Sequence, residues 1–78
     1  MTVILYTAPN CQPCRATKRW LVDNRIPFEE RNAADHIDAL QAGGYREAPV
    51  VIAGSEGWGG FRPDLLQKLA EKEGAGHD

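Results

Sequence analysis

A continuous apolar and β-branched run, Thr2–Tyr6, closed by Thr7, Ala8, Pro9 and Asn10, has the pattern of a strand buried on both faces. In a chain of 78 residues such a strand is central, and the rest of the chain must supply the layers around it. The length allows one domain with a thin core, removing only about 60 to 65% of the unfolded chain's surface from water. Small domains often reinforce a thin core with several disulfides, yet this chain has two cysteines, Cys11 and Cys14, with two residues between them. A bridge across so short a loop constrains little chain, so the pair reads as chemistry and not as scaffolding.

From Pro13 to about Asn24 the pattern becomes helical, with Cys14, Thr17 and Leu21 on one stripe and Arg15, Lys18, Arg19 and Asp23 largely off it. Pro13 suits the first turn, where an N–H is not needed. Asn24-Arg25-Ile26-Pro27 breaks the helix, and Phe28 to Arg31 is expected as a short strand. Asp35 to Ala42 is expected as a helix with Ile37 and Leu40 sharing a face, stopped by Gly43-Gly44. Val50 to Ala53 is a second buried strand, Gly54 to Gly57 a turn, and Trp58-Gly59 the start of a short edge strand. Pro63 opens a last helix with Leu65, Leu66 and Leu69 inward, and residues 74–78 are expected as a flexible tail after a domain spanning 1–73. The order is β-α-β-α-β-β-α: one right-handed parallel crossover, then a hairpin, in one layered α/β domain.

The N-terminus carries no basic leader, and its apolar run is too short for a signal peptide or a membrane span, so a reducing cytoplasmic setting is expected. A net charge of −2 and a pI near 5.6 leave no electrostatic footprint for nucleic acid or an anionic membrane. Partners are therefore expected among proteins and small molecules, and the chain is expected to act as a monomer.

A nucleophilic cysteine must be ionised, accessible, and near a second thiol that can displace its product. At the mouth of a helix, unpaired N–H groups and the helix dipole favour the Cys11 thiolate. Cys14, one turn deeper on the same face, becomes the resolving thiol. The competing reading of a single Cys-x-x-Cys is half of a metal site. Zinc would need two further ligands, yet 21 residues (15 to 35) separate Cys14 from His36, His77 lies in the expected tail, and no second cysteine pair exists.

Pro49, just before a buried strand, reads equally as a strand-edge residue or as a cis turn that presents backbone to a substrate. Trp20 and Trp58, each within or beside an expected element, read as packing residues in preference to stacking platforms. Gly59-Gly60 before Pro63-Asp64 resembles either a tight turn into a helix N-terminus that could hold a carboxylate or a plain connecting turn.

From about Thr2 to Lys72 the chain resembles the NrdH-type redoxins, which are similar to glutaredoxins in sequence but behave as thioredoxins. The resemblance is carried by Trp58-Gly59-Gly60-Phe61-Arg62-Pro63-Asp64, by Tyr6-Thr7, by Cys11-x-x-Cys14 and by Ala48-Pro49-Val50. It implies a thioredoxin fold, with a four-stranded mixed sheet in the order 2-1-3-4 flanked by three helices, and Pro49 cis beside the cysteines. It further implies no bound cofactor beyond a redox-active disulfide, reduction by thioredoxin reductase using NADPH, and electron delivery to a class Ib ribonucleotide reductase for deoxyribonucleotide synthesis. Gln12, Pro13, Ala48, Pro49 and Val50 would surround the reactive sulfur, while Trp58, Phe61, Arg62 and Asp64 would form a loop network that fixes the last helix.

Two departures stand out. Many relatives carry lysine where this chain has Ala8, so stabilisation of the thiolate falls to the helix end, with help from Arg15 or Lys18. The inter-cysteine pair is Gln12-Pro13, with proline next to the second cysteine as in thioredoxin, which is consistent with a reducing dithiol. The nearest alternative is a glutathione-dependent glutaredoxin. Against it, Glu47-Ala48 precede the proline, and Phe61-Arg62 come after the glycine pair, where glutaredoxins commonly place Thr-Val and an acidic residue. A second alternative is an iron-sulfur or metal carrier.

Overall fold

The computed structural model describes residues 2–73, so the expected tail lies outside the described residues. Strand β1 (Val3–Thr7) leads through α1 (Gln12–Asp23) to β2 (Glu29–Asn32). A 3₁₀ turn over Ala33–His36 runs into a short helix, α2 (Ile37–Ala42), and the hairpin of β3 (Val50–Ala53) and β4 (Glu56–Gly59) precedes α3 (Pro63–Glu73). The sheet order is β2-β1-β3-β4, with β1 parallel to β2 and the other two pairings antiparallel. This is the mixed sheet and element order expected of the thioredoxin fold. No helix among the described residues is long and apolar enough to cross a membrane.

Strand register explains which face is the core. Val3 pairs with Ala53 and Leu5 with Val51, which in turn pairs with Trp58, so these five side chains share one face. Leu21 of α1 and Leu66, Leu69 and Ala70 of α3 cover that face. Leu5, Leu21 and Leu66 are fully buried, each contributing about 1.5–3 kcal/mol of apolar burial. Trp20, Phe28 and Leu65 pack at its margin. The buried hydroxyl of Thr17 donates to the Pro13 carbonyl at 2.8 Å, which removes the cost of leaving it unpaired.

The end of α1 is set by backbone geometry. Arg25 takes a left-handed φ of 58° and donates to Val22 O, while Ile26 N–H bonds Leu21 O at 3.0 Å and carries the chain back to the core. Asn24 Nδ2 caps the Trp20 carbonyl at 2.9 Å.

Four expectations need correction. The first strand is Val3–Thr7 and not Thr2–Tyr6, and it is buried on one face only, since Val3 and Leu5 are buried while Ile4 and Tyr6 are half-buried. The second strand is Glu29–Asn32, one residue later than Phe28–Arg31, because its pairing with Ile4–Thr7 begins at Glu29. The expected helix at Asp35 starts as a 3₁₀ turn capped by Asn32, whose Oδ1 accepts from Ala34 N–H at 3.0 Å. The six-residue α2 after it buries none of its residues, and Ile37 stands 48% exposed. Finally, the β3–β4 turn is shorter than Gly54–Gly57, since pairing resumes at Ala53 with Glu56.

Candidate active site

Cys11 is the N-cap of α1, in extended conformation, and its Sγ accepts a hydrogen bond from the Cys14 N–H at 3.1 Å. Pro13 occupies the first turn, which holds no acidic residue to oppose negative charge at the helix mouth. Asn10, with φ 56°, turns the chain from β1 into this cap, a conformation that asparagine tolerates better than most residues. Cys11 and Cys14 are joined as a disulfide with Cα atoms 5.2 Å apart. Their environments differ: Cys14 is 3% exposed, whereas Cys11 is half-buried and reaches the surface. One sulfur is thus open to a partner, and the second is reached only through the first.

On the opposite side of Cys11, the Ala48 carbonyl oxygen lies 3.8 Å from its Sγ. The disulfide sulfur carries no proton, so this is a contact in the oxidised protein; a protonated Cys11 thiol in the reduced protein would donate to that oxygen. The Ala48-Pro49 peptide is cis, which resolves the two readings of Pro49. Pro49 and Val50 bury their side chains, leaving Ala48 and the backbone as the accessible part of the turn. Gln12 and Pro13 are exposed beside Cys11. Gly60 N–H donates to Pro49 O at 2.8 Å and ties the turn to the loop after β4.

In that loop, Trp58 is buried in the core, with its indole N–H lacking a partner among the described residues. Phe61 is 37% exposed. Arg62 donates through Nε and Nη2 to the Asp64 carboxylate at 3.2 and 3.0 Å, and this holds the Asp64 carboxyl below its ordinary range.

A cleft beside the disulfide is lined by Cys11, Cys14, Arg15, Lys18, Thr7 and Glu30. Lys18 is not a free cation there. Its Nζ lies 2.8 Å from Glu30 Oε1, while Thr7 Oγ1 donates to Glu30 Oε2 at 2.9 Å. The bond from Lys18 holds the Glu30 carboxyl below its ordinary value, with Thr7 acting in the same direction. Of the two cations expected to assist the sulfur, only Arg15 is left without an ion-pair partner among the described residues. Sequence reading missed Glu30. The parallel register that sets it beside Leu5, on the face toward α1, is a tertiary fact without a local signal.

Among the described residues no three His, Cys, Asp or Glu side chains gather as a metal-binding group. His36 packs edge-on against Tyr6, ring centroids 5.3 Å apart.

The family model described as Glutaredoxin matches residues 3–58. The glutaredoxin-like protein NrdH of Salmonella typhimurium is 43% identical over 72 residues, which span 88% of this chain and 89% of that one. The solved NrdH-redoxin of Escherichia coli, described as having a thioredoxin-like activity profile, superposes with a TM-score of 0.84 at 42% identity, over 88% of this chain and 95% of that one. Glutaredoxin 1 of Francisella tularensis superposes less closely, with a TM-score of 0.68 at 25% identity, over 92% and 94%. Agreement in sequence and in backbone course alike makes the chain a member of the glutaredoxin family, in its NrdH-type branch, with Cys11–Cys14 the redox-active disulfide of a thiol-disulfide oxidoreductase.

Proposed function

We propose that the protein is an electron donor reduced by thioredoxin reductase at the expense of NADPH, and that it passes those electrons to a class Ib ribonucleotide reductase in the cytoplasm. The observation that carries the division of labour is the unequal burial of the two sulfurs, half-buried Cys11 against Cys14 at 3% exposure. Cys11 is the nucleophile. Its thiolate attacks one sulfur of the target disulfide, forming a mixed disulfide and releasing the other target sulfur as a thiolate. Cys14 then gives up its proton to solvent and attacks Cys11 Sγ, which releases the second target thiolate and closes the Cys11–Cys14 bond. Two electrons leave the protein, which ends in the disulfide form.

The Cys14 N–H that reaches Cys11 Sγ supports this assignment, because the same bond would stabilise the thiolate in the reduced protein. Gln12, Pro13, Ala48, Pro49 and Val50 are the residues we assign to substrate contact, through side chain at the first two and through backbone at the turn. Trp58, Phe61, Arg62 and Asp64 hold the start of α3. The choice of thioredoxin reductase rests on the thioredoxin-like profile stated for the Escherichia coli relative and on Glu47-Ala48 and Phe61-Arg62 where glutaredoxins commonly carry other residues.

The deciding experiment is a coupled NADPH-oxidation assay with a protein disulfide, run in parallel with thioredoxin reductase and with glutathione plus its reductase. Turnover is expected with thioredoxin reductase. Turnover with glutathione alone would assign the chain to glutathione-dependent chemistry.

A further inference from the structure

The segment that carries Ala48 to Cys11 is held by a side chain no step of the chemistry uses. Tyr45 stands just after Gly43-Gly44 at the end of α2, and its N–H bonds Leu40 O at 2.9 Å. Its ring then lies in a slot made by three glycines. A Cβ on Gly43 would stand 3.1 Å from Tyr45 Cε2, and one on Gly59 would stand 3.9 Å from Tyr45 Cδ1. A Cβ on Gly57 would collide with the Tyr45 hydroxyl oxygen and come within 2.8 Å of Ile52 Cδ1. Gly57 pairs with Ile52 and Gly59 with Val50, so the floor of the slot is the face of β4 opposite Trp58.

From that anchor the chain runs past β4 to the turn. The Glu47 and Pro49 carbonyls pass within 3.9 and 3.8 Å of where a Gly59 Cβ would lie, and Gly60 N–H bonds Pro49 O at 2.8 Å. Residues 45–49 are therefore pinned at both ends, by the Tyr45 ring and by the Gly60 hydrogen bond. Ala48, between the pins, is the residue whose carbonyl touches Cys11 Sγ.

We infer that Tyr45 is a positioning residue for disulfide exchange: seated in the Gly43–Gly57–Gly59 slot, it fixes the 45–49 segment and with it the place where a disulfide-bearing partner chain lies against Ala48. This rests on the thiol-disulfide activity of the family and on partner contact at the turn, and not on which reductase supplies electrons. A partner chain needs the turn; a small alkylating reagent does not. Loss of the ring should therefore raise KM for a protein disulfide and leave the intrinsic reactivity of Cys11 unchanged, because misplacement of an orienting group by about 1 Å can cost up to ~100-fold.

The test uses insulin as the disulfide substrate, with dithiothreitol as electron source, so that failure of the thioredoxin reductase assignment cannot be mistaken for failure of the positioning role. Tyr45→Ala is expected to raise KM about tenfold with kcat and the iodoacetamide alkylation rate of Cys11 each within about twofold of the parent. Unchanged KM, or an alkylation rate that falls by the same factor, would overturn the inference. A second pair covers the case in which Tyr45→Ala fails to fold. Its background is Ile52→Val, which removes the Cδ1 that a methyl on Gly57 would also meet. There Gly57→Ala drives that methyl against the tyrosine hydroxyl and is expected to raise KM about tenfold, whereas adding Tyr45→Phe removes the colliding oxygen and should bring KM back to within about twofold. If Gly57→Ala costs the same with and without Tyr45→Phe, the damage lies in β4 itself and the positioning role is wrong.

Discussion

Lys18 Nζ sits 2.8 Å from Glu30 Oε1, which couples the helix bearing both cysteines to the parallel edge strand β2. The pair lines the cleft that Cys11 and Cys14 also line, so a carboxylate there both occupies the nearest lysine and adds negative charge near the sulfurs. Replacing Glu30 by Gln is expected to free Lys18 and shift Cys11 toward thiolate at a given pH. The pH profile of iodoacetamide alkylation should then move to lower pH, and the move should shrink in high salt. A shift to higher pH would show that Glu30 holds Lys18 where it helps the sulfur.

Arg25 closes α1 from a left-handed backbone position that normally favours glycine, and its N–H makes the closing bond to Val22 O at 3.1 Å. Substituting Gly keeps that bond and relieves the contact between Cβ and backbone. Against this stands the larger conformational freedom of glycine in the unfolded chain. Steric relief is the larger of the two, so Arg25→Gly is expected to add about 0.5–1 kcal/mol, read from the midpoint of urea unfolding with an unchanged m value.

How far the sequence carried the structure depended on whether a feature was local. The Cys14, Thr17 and Leu21 stripe lies within one helix and is buried as its spacing implies. Val50–Ala53 is an uninterrupted apolar, β-branched-rich run, and its bounds are those of β3. The Asp35–Ala42 segment is α-helical only from Ile37, for a physical reason: with only Ile37 and Leu40 as apolar landmarks, periodicity does not separate a 3₁₀ turn from the first turn of a helix. The cysteines were legible because their chemistry is encoded within four residues. Glu30 and Tyr45 were not, since one depends on parallel strand register and the other on glycines 12 and 14 residues further along the chain.

Acid should weaken the fold through its surface ion pairs, Lys18–Glu30, Lys72–Glu56 and Arg62–Asp64. Glu30 is held below its ordinary value of 4.5 by its bond from Lys18, Glu56 likewise by Lys72, and Asp64 below 3.8 by Arg62. Groups with a depressed folded-state value contribute fully above the ordinary carboxylate range and lose that contribution as pH falls through their folded-state values. All three pairs are largely solvent-exposed, so each contribution is small and salt-sensitive. Thermal midpoints should be flat from neutral pH down to about 5 and fall below about 4.5, with Glu56→Gln flattening part of that fall.

Cys14→Ser separates the two halves of the proposed cycle. A serine hydroxyl lacks the acidity and sulfur nucleophilicity needed to break a mixed disulfide, so the reaction should stop after Cys11 has attacked. Incubation of the reduced variant with a protein disulfide is expected to give a covalent conjugate that survives denaturation and is released by dithiothreitol, visible on a non-reducing gel. Cys11→Ser should give none, because Cys14, at 3% exposure, is shielded from a protein-sized substrate. The fold should tolerate Cys11→Ser, since the Cys14 N–H can donate to a serine oxygen at position 11 as it now does to sulfur. A conjugate formed by Cys11→Ser through Cys14 would reverse the roles of the two sulfurs.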